Sequence, residues 1–219
     1  MISLSDLRRF KAEARKFSCL TCYDASMAKA MEIAQIDSIL IGDSLGMSIQ
    51  GRDSTLPVTV DDMAYHTAAV RRGNSHAFIM TDLPFMSYAT LNDALQNSRT
   101  VMQAGAQMVK MEGGAWLAET VEVLTRNGIP VCVHLGLTPQ SVHVLGGYKL
   151  QARTREAADQ LIRDCKSVVE AGAALLLLEC VPAQLGQEIS ELFPHTPVIG
   201  IGAGNATDGQ VLVVQDMLG

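Results

Sequence analysis

The sequence predicts an α/β fold, a parallel (β/α)8 barrel of the TIM type. Three observations lead there: near-continuous apolar runs of strand length, amphipathic segments between them, and a polar or glycine-rich stretch closing each run. Runs that are apolar at every position suit strands buried on both faces, and their alternation with helical patterns implies parallel strands joined by crossovers. A doubly wound open sheet would share this periodicity, but eight such strands favour closure into a barrel. The 219 residues then form one domain, 1–219, a size a β/α barrel commonly fills.

The strand candidates follow in order as FSCLTCYD, DSILIGDS, AFIMTDLP, QMVKMEGG, PVCVHLG, ALLLLEC, PVIGIGAG and QVLVVQDMLG. Thr59-Val-Asp-Asp62 and Thr90-Leu-Asn-Asp93 each place a hydroxyl three residues before a carboxylate, close to a capping box, so helices are predicted to start near Val60 and Leu91. Gly105, Gly128 and Gly172 stand where helical patterns stop just before strands, as left-handed C′ residues do. Residues 104–112 and 171–179 echo one another as helix stop, strand and terminal acid, which repetition of βα units explains. The sequence reaches Gly219 directly after the eighth run, so the helix expected to cover that strand is missing from it, and a neighbouring subunit is one candidate to cover that face.

Seventeen basic against twenty-three acidic residues give a net charge of -6, which leaves no basic face for nucleic-acid phosphates. No apolar run approaches the roughly 18 residues of a membrane span, and the amino terminus lacks a secretion signal. These features predict a cytoplasmic protein. The five cysteines lie in apolar stretches and read as small hydrophobes rather than a disulfide framework. Cys19 and Cys22 have the spacing of a redox or zinc pair, but residues three apart on a strand point to opposite faces.

Catalytic groups of parallel barrels sit where the strands end. Those ends read Asp24, Asp43, Asp82, Lys110 with Glu112, His134, Glu179 and Asp216. So many carboxylates are tolerable together only if a cation, a lysine or shared protons offset them, and an oxygen-only donor set points to a hard divalent ion such as magnesium. Each residue also has a plainer role. Asp24 suits a helix N-cap, and Asp216 suits a solvent-facing position. Lys110 and Glu112 share one strand face and form either a structural ion pair or a substrate anchor beside a metal-supporting acid. His134 is a core histidine or a substrate contact. Glu179, after four leucines, sits where apolar surroundings raise a carboxyl pKa and suit a general base; otherwise it pairs with Lys110. Gly200-Ile-Gly-Ala-Gly204 gives a phosphate cradle or, more simply, a tight turn.

Several long motifs then stand in a telling order: IGDSLGM, GRDSTLPVT, MAYHTAAVRRG, TDLPFMSYAT, VKMEGG, HLGLTPQS, LLLECVP and IGIGAGNATDGQ. From about residue 3 to Gly219 the chain closely resembles the ketopantoate hydroxymethyltransferase family. The resemblance implies a magnesium-dependent barrel that makes ketopantoate from 3-methyl-2-oxobutanoate and 5,10-methylenetetrahydrofolate, on the way to pantothenate and coenzyme A. By motif, Asp43, Asp82 and Glu112 fall on its magnesium group, and Asp43, Ser44, Asp82 and Lys110 fall where it contacts the keto acid. Glu179 falls on its proton acceptor. The resemblance further implies a homo-oligomer, a decamer, and relatives that continue for several dozen residues beyond the position of Gly219.

Two other functions remain as expectations to weigh. One is a magnesium-dependent carbon-carbon lyase of the isocitrate lyase and phosphoenolpyruvate mutase type, which shares the enolate logic but usually carries a reactive loop cysteine. The other is a non-catalytic barrel subunit, against which the intact set of polar strand ends argues.

Overall fold

A computed structural model describes all residues, Met1–Gly219. In chain order the elements are α1 (Leu4–Ala12), β1 (Phe17–Thr21), α2 (Ala25–Ile33), β2 (Ser38–Ile41), α3 (Leu45–Ser48), α4 (Val60–Gly73), β3 (Phe78–Asp82), α5 (Leu91–Ala104) and β4 (Met108–Glu112). There follow α6 (Ala118–Arg126), β5 (Val131–Gly136), α7 (Val142–Leu145), α8 (Arg155–Glu170), β6 (Leu175–Glu179), α9 (Ala183–Leu192), β7 (Val198–Ile201), β8 (Gly209–Leu212) and α10 (Val214–Leu218). The strands close into a barrel in sequence order, β1 to β8, and the recorded pairings are all parallel. The predicted fold class is the observed one.

The chain divides into two compact units. One comprises Met1–Ser3, Ser18–Met111 and Val211–Gly219. In it β2, β3 and β4 are buried at every position, and Ile39, Ile41, Ile79, Met108 and Met111 are fully enclosed. Side chains of this kind contribute about 1.5–3 kcal/mol each by leaving water. The other unit comprises Leu4–Phe17 and Glu112–Gln210. Its core is the run Leu175–Leu178 with Val131, Val133, Val198 and Ile199. Lys11 anchors α1 there through a 2.6 Å ion pair with Asp208, whose Oδ2 also accepts the Val198 N–H.

The capping signals translate directly. Thr59 caps α4 by accepting the Asp62 N–H at 3.2 Å while Asp62 accepts the Thr59 N–H at 2.9 Å, a complete capping box. Thr90 caps α5, and Gly105, Gly128 and Gly172 have φ of 121°, 82° and 106°. The Thr59 N–H holds the Asp62 carboxyl below its ordinary value of 3.8. A folded value below the unfolded one stabilises at neutral pH, and that contribution disappears as pH falls through the folded value. Asp62→Ala is therefore expected to cost roughly 0.5–1 kcal/mol at pH 7 in urea denaturation. The deficit should shrink below pH 3.8; a pH-independent deficit would contradict the assignment.

Two local expectations need correction. The eighth apolar run is not one long strand: β8 stops at Leu212, and Val214–Leu218 turns into the short helix α10, which puts Asp216 in an exposed helical turn rather than at a strand end. A short helix thus follows the last strand. Second, β7 returns to β8 through the helix-free segment 202–208. Gly202 and Gly204 turn this segment at φ of 60° and 82°, and a Cβ on Gly204 would lie 2.6 Å from that of Ala183. The glycines there make a tight turn against α9. Asp24 is the helix N-cap that the sequence suggested: its side chain accepts the Met27 N–H and starts α2.

No helix is long and apolar enough to cross a membrane. Cys19 is on β1 and Cys22 just beyond it; both are buried, and burial pushes their thiols up to about 12 and about 11, as befits small core hydrophobes.

Candidate active site

The first unit brings Asp43, Ser44, Asp82 and Lys110 together. Asp82 ends β3 and is the register partner of Lys110 on β4, so their side chains stand side by side at the strand ends. Lys110 Nζ lies 2.9 Å from Asp82 Oδ1, with both side chains about 3% exposed. The other oxygen, Oδ2, accepts the Asp43 N–H at 3.0 Å. A buried carboxylate is tolerable only with such compensation, since an unpaired charge would cost several kcal/mol. Asp43 itself is 3% exposed. Ahead of it, a Cβ on Gly42 would come within 2.7 Å of Ser44 Oγ, so the absence of a side chain at that position makes room for the hydroxyl.

Ser44 Oγ lies 2.8 Å from Tyr23 Oη. Burial pushes the Tyr23 phenol up; hydrogen bonds with Ser44 and Thr21 pull the other way, and the nearby Asp82 and Asp43 charges push it further up. Tyr23 therefore stays a neutral hydroxyl beside two acids. Sequence reasoning passed over it, although it stands one residue before Asp24 at the end of the first apolar run. The ordinary role of tyrosine in a core offered no reason to single it out.

The second unit gathers the remaining candidates around His134. Glu112 ends β4; its Oε2 accepts the Gln140 N–H at 2.9 Å, and its Oε1 lies 3.2 Å from His134 Nδ1. On the other side of the imidazole, Nε2 is 3.1 Å from Glu179 Oε2. The side chains of Glu112 and His134 are 2% and 4% exposed, whereas that of Glu179 is 17% exposed. Glu179 is thus the one member of the row that opens outward. His134 stands between the two carboxylates, with one ring nitrogen toward each.

Local backbone aims Glu179. Gly136, its register partner on β5, has φ of 91°, and a Cβ there would sit 2.3 Å from the Glu179 carbonyl oxygen. That carbonyl accepts the Leu137 N–H at 2.8 Å. Cys180 takes up a left-handed φ of 48°, an uncommon conformation for a residue with a side chain, and bends the chain sharply after β6. Of the roles left open for Lys110 and Glu179, the mutual pair is not the one formed: Lys110 faces Asp82, and Glu179 faces His134. His134 is a carboxylate-bound residue of the site.

Asp43, Asp82 and the Ser44 hydroxyl form an all-oxygen donor set that suits a hard cation. No three His, Cys, Asp or Glu side chains converge closely enough to hold an ion unaided. Magnesium typically takes one or two carboxylates and completes its shell with water and substrate oxygens. Both oxygens of Glu112 are engaged, by the Gln140 N–H and by His134.

The model of the family described as "Ketopantoate hydroxymethyltransferase" matches residues 1–219. The chain is 90% identical to 3-methyl-2-oxobutanoate hydroxymethyltransferase of Acinetobacter baumannii (strain AYE), over all of this chain and 81% of that protein. With the same coverage it is 85% identical to the Acinetobacter baylyi enzyme and 64% identical to that of Psychrobacter sp. (strain PRwf-1). Among solved structures it is similar to a phosphonopyruvate hydrolase (TM-score 0.74, 13% identity, 100% of this chain and 83% of that one). It is also similar to 2,3-dimethylmalate lyase, a member of the PEP mutase/isocitrate lyase superfamily (TM-score 0.69, 14% identity, 100% and 84%). At such identities the structural likeness shows the shared barrel alone and gives no support to lyase chemistry, whereas the sequence matches run the length of the chain. The chain belongs to the ketopantoate hydroxymethyltransferase family.

Proposed function

We propose that this transferase moves a hydroxymethyl group from 5,10-methylenetetrahydrofolate to 3-methyl-2-oxobutanoate, giving 2-dehydropantoate for pantothenate and coenzyme A synthesis. The observation that carries this reading is the division of labour between a compensated, buried Asp43–Asp82–Lys110 group and a separate, outward-facing Glu179 backed by histidine. An α-keto acid needs both: a charged seat for its carboxylate and keto oxygens, and a base for its C3 proton.

Asp43 and Asp82 would hold the magnesium ion, and Glu112 is the third acid that the family motif assigns to it. When bound, the ion supplies Lewis acidity that polarises the keto carbonyl. Lys110 pairs with the substrate carboxylate or offsets negative charge developing on the keto oxygen. Ser44, with Tyr23 behind it, orients the same end of the substrate. Glu179 removes the C3 proton, and His134 Nε2 accepts the hydrogen bond of the carboxylic acid so formed. Water adds to the methylene carbon as its two bonds to the folate nitrogens break, and tetrahydrofolate leaves with the protons. The carbanionic carbon bonds to the one-carbon unit so released at the formaldehyde level, whose oxygen takes up a proton as the new hydroxyl. The family resemblance supports a cytoplasmic homo-oligomer, a decamer.

The reading is tested by proton exchange at C3 of 3-methyl-2-oxobutanoate in heavy water without folate. Exchange that depends on added magnesium and stops with chelator is expected. Exchange no faster than in buffer at saturating magnesium would remove the enolisation step and the role of the site with it.

A further inference from the structure

The motif MAYHTAAVRRG lies on α4, and neither the magnesium group nor the base draws on it. Helix α4 nonetheless backs the first unit's site through two successive residues. Thr67 Oγ1 lies 2.9 Å from Thr81 Oγ1 on β3, and on a strand the next side chain, that of Asp82, points to the opposite face. His66 turns instead to the end of β1, where its Nδ1 lies 2.7 Å from the Tyr23 carbonyl oxygen. A carbonyl can only accept, so Nδ1 carries the proton and donates it.

Tyr23 needs such a hold. It stands between Thr21, the last residue of β1, and Asp24, the cap of α2, so its carbonyl lies outside both the strand ladder and the helix. The imidazole also meets the phenol ring in a T-shaped contact, with centroids 6.4 Å apart and planes at 82°, and Tyr65 meets the imidazole in the same way at 5.3 Å. Both separations suit favourable aromatic pairs, about 4.5–7 Å. Further along, α4 is fastened to α2 itself: a Cβ on Gly73 would run into the Ala25 carbonyl, and Asn74 Nδ2 donates to the Ala28 carbonyl at 2.9 Å. What the hold transmits is the phenol, whose Oη lies 2.8 Å from Ser44 Oγ. Burial pushes the phenol up, so it keeps a hydrogen to donate. A serine that accepts that hydrogen keeps its own hydroxyl hydrogen for another acceptor.

We propose that His66 is a positioning residue for the keto acid: it holds Tyr23 so that the phenol donates to Ser44 Oγ, which turns the Ser44 hydroxyl hydrogen toward the substrate carboxylate. The proposal rests on the reading, set out above, that the keto acid is seated at Asp43, Ser44, Asp82 and Lys110. His66 itself touches neither substrate nor metal, and acts through Tyr23.

Equilibrium dialysis of radiolabelled 3-methyl-2-oxobutanoate at saturating magnesium measures binding without turnover. His66→Leu, which keeps the bulk and loses the donor, should weaken binding by about fivefold, the worth of one net hydrogen bond. A misfolded fraction would lower the number of sites and not the affinity of the remainder. His66→Asn puts an amide N–H close to the place of Nδ1 and should restore most of the affinity. Tyr23→Phe should weaken binding to a similar extent, and adding His66→Leu to it should cost nothing more, because the histidine acts through the phenol. Asp62→Ala, which loosens the start of the same helix without touching His66, should bind as the wild type does. Unchanged affinity in His66→Leu, an equal loss in His66→Asn, an equal loss in Asp62→Ala, or losses that multiply in the double variant overturn the proposal. C3 exchange on the same samples separates the two readings. Wild-type protein that binds without exchanging removes the enolisation step, while the role of His66 stands on the affinities of the variants. Wild-type exchange with no loss of affinity in His66→Leu removes only the role of His66. Wild-type protein that neither binds nor exchanges removes the keto-acid seat and this role together.

Discussion

Glu179→Gln is expected to slow magnesium-dependent C3 exchange of 3-methyl-2-oxobutanoate by about 10²–10⁴-fold, the usual contribution of a positioned general base. Glutamine matches the size of glutamate and can donate an amide hydrogen to the Nε2 lone pair of His134, which lies 3.1 Å from Glu179 Oε2. The variant thus keeps the row of side chains but cannot accept a proton. Because the side chain is partly exposed and not a member of the Asp82–Lys110 group, the stability of the fold and the binding of the keto acid should change little. The measurement is exchange rate against keto acid concentration. A fall in rate at saturation with a nearly unchanged half-saturation point supports proton abstraction. A variant that exchanges as fast as the wild type shows that the base lies elsewhere.

Much of this arrangement is legible in the chain, for a physical reason. In a parallel barrel every strand is buried on both faces, so each is written as an apolar run, and the polar residue that ends it is the one that reaches the site. Asp82, Lys110, Glu112, His134 and Glu179 were found in that way, and all belong to strands. What depends on packing rather than on strand period was not legible. The run from Gln210 to Gly219 is apolar enough for a strand throughout, yet it breaks at Val213 into the short helix α10, which starts where Val214 N–H donates to Thr21 Oγ1 on β1. Segment 202–208 carries no periodicity signal that would have marked it as the crossover without a helix.

Partnership was the other blind spot. Residues 112, 134 and 179 come from three strands, and nothing in their spacing says that the imidazole bridges the two acids rather than facing substrate alone. Tyr23 escaped notice because its significance lies in Ser44, Asp43 and Asp82, contacts made only once β1, β2 and β3 are adjacent. Asp24 shows the converse: its role as an N-cap is local, involving Met27 three residues on, and was readable at once.

Lys110→Met should destabilise the protein by about 3–5 kcal/mol, the cost of removing one partner from a buried ion pair. Methionine fills most of the lysine stem's volume, so the loss reports charge rather than a cavity. The Nζ lost is the one 2.9 Å from Asp82 Oδ1 in surroundings where both side chains are about 3% exposed. Removing the orphaned charge as well, in Lys110→Met with Asp82→Asn, should recover a substantial part of the loss, because asparagine still accepts the Asp43 N–H and no longer buries an ion. Urea denaturation of the four proteins gives the coupling energy. Because Asp43 and Asp82 are the proposed magnesium ligands, added magnesium should raise the stability of Lys110→Met more than that of the double variant, growing with concentration as binding to the folded state requires. Additive losses in the cycle would mean that Lys110 and Asp82 do not act as a pair. Equal responses to magnesium in the two variants would take Asp82 out of the metal group.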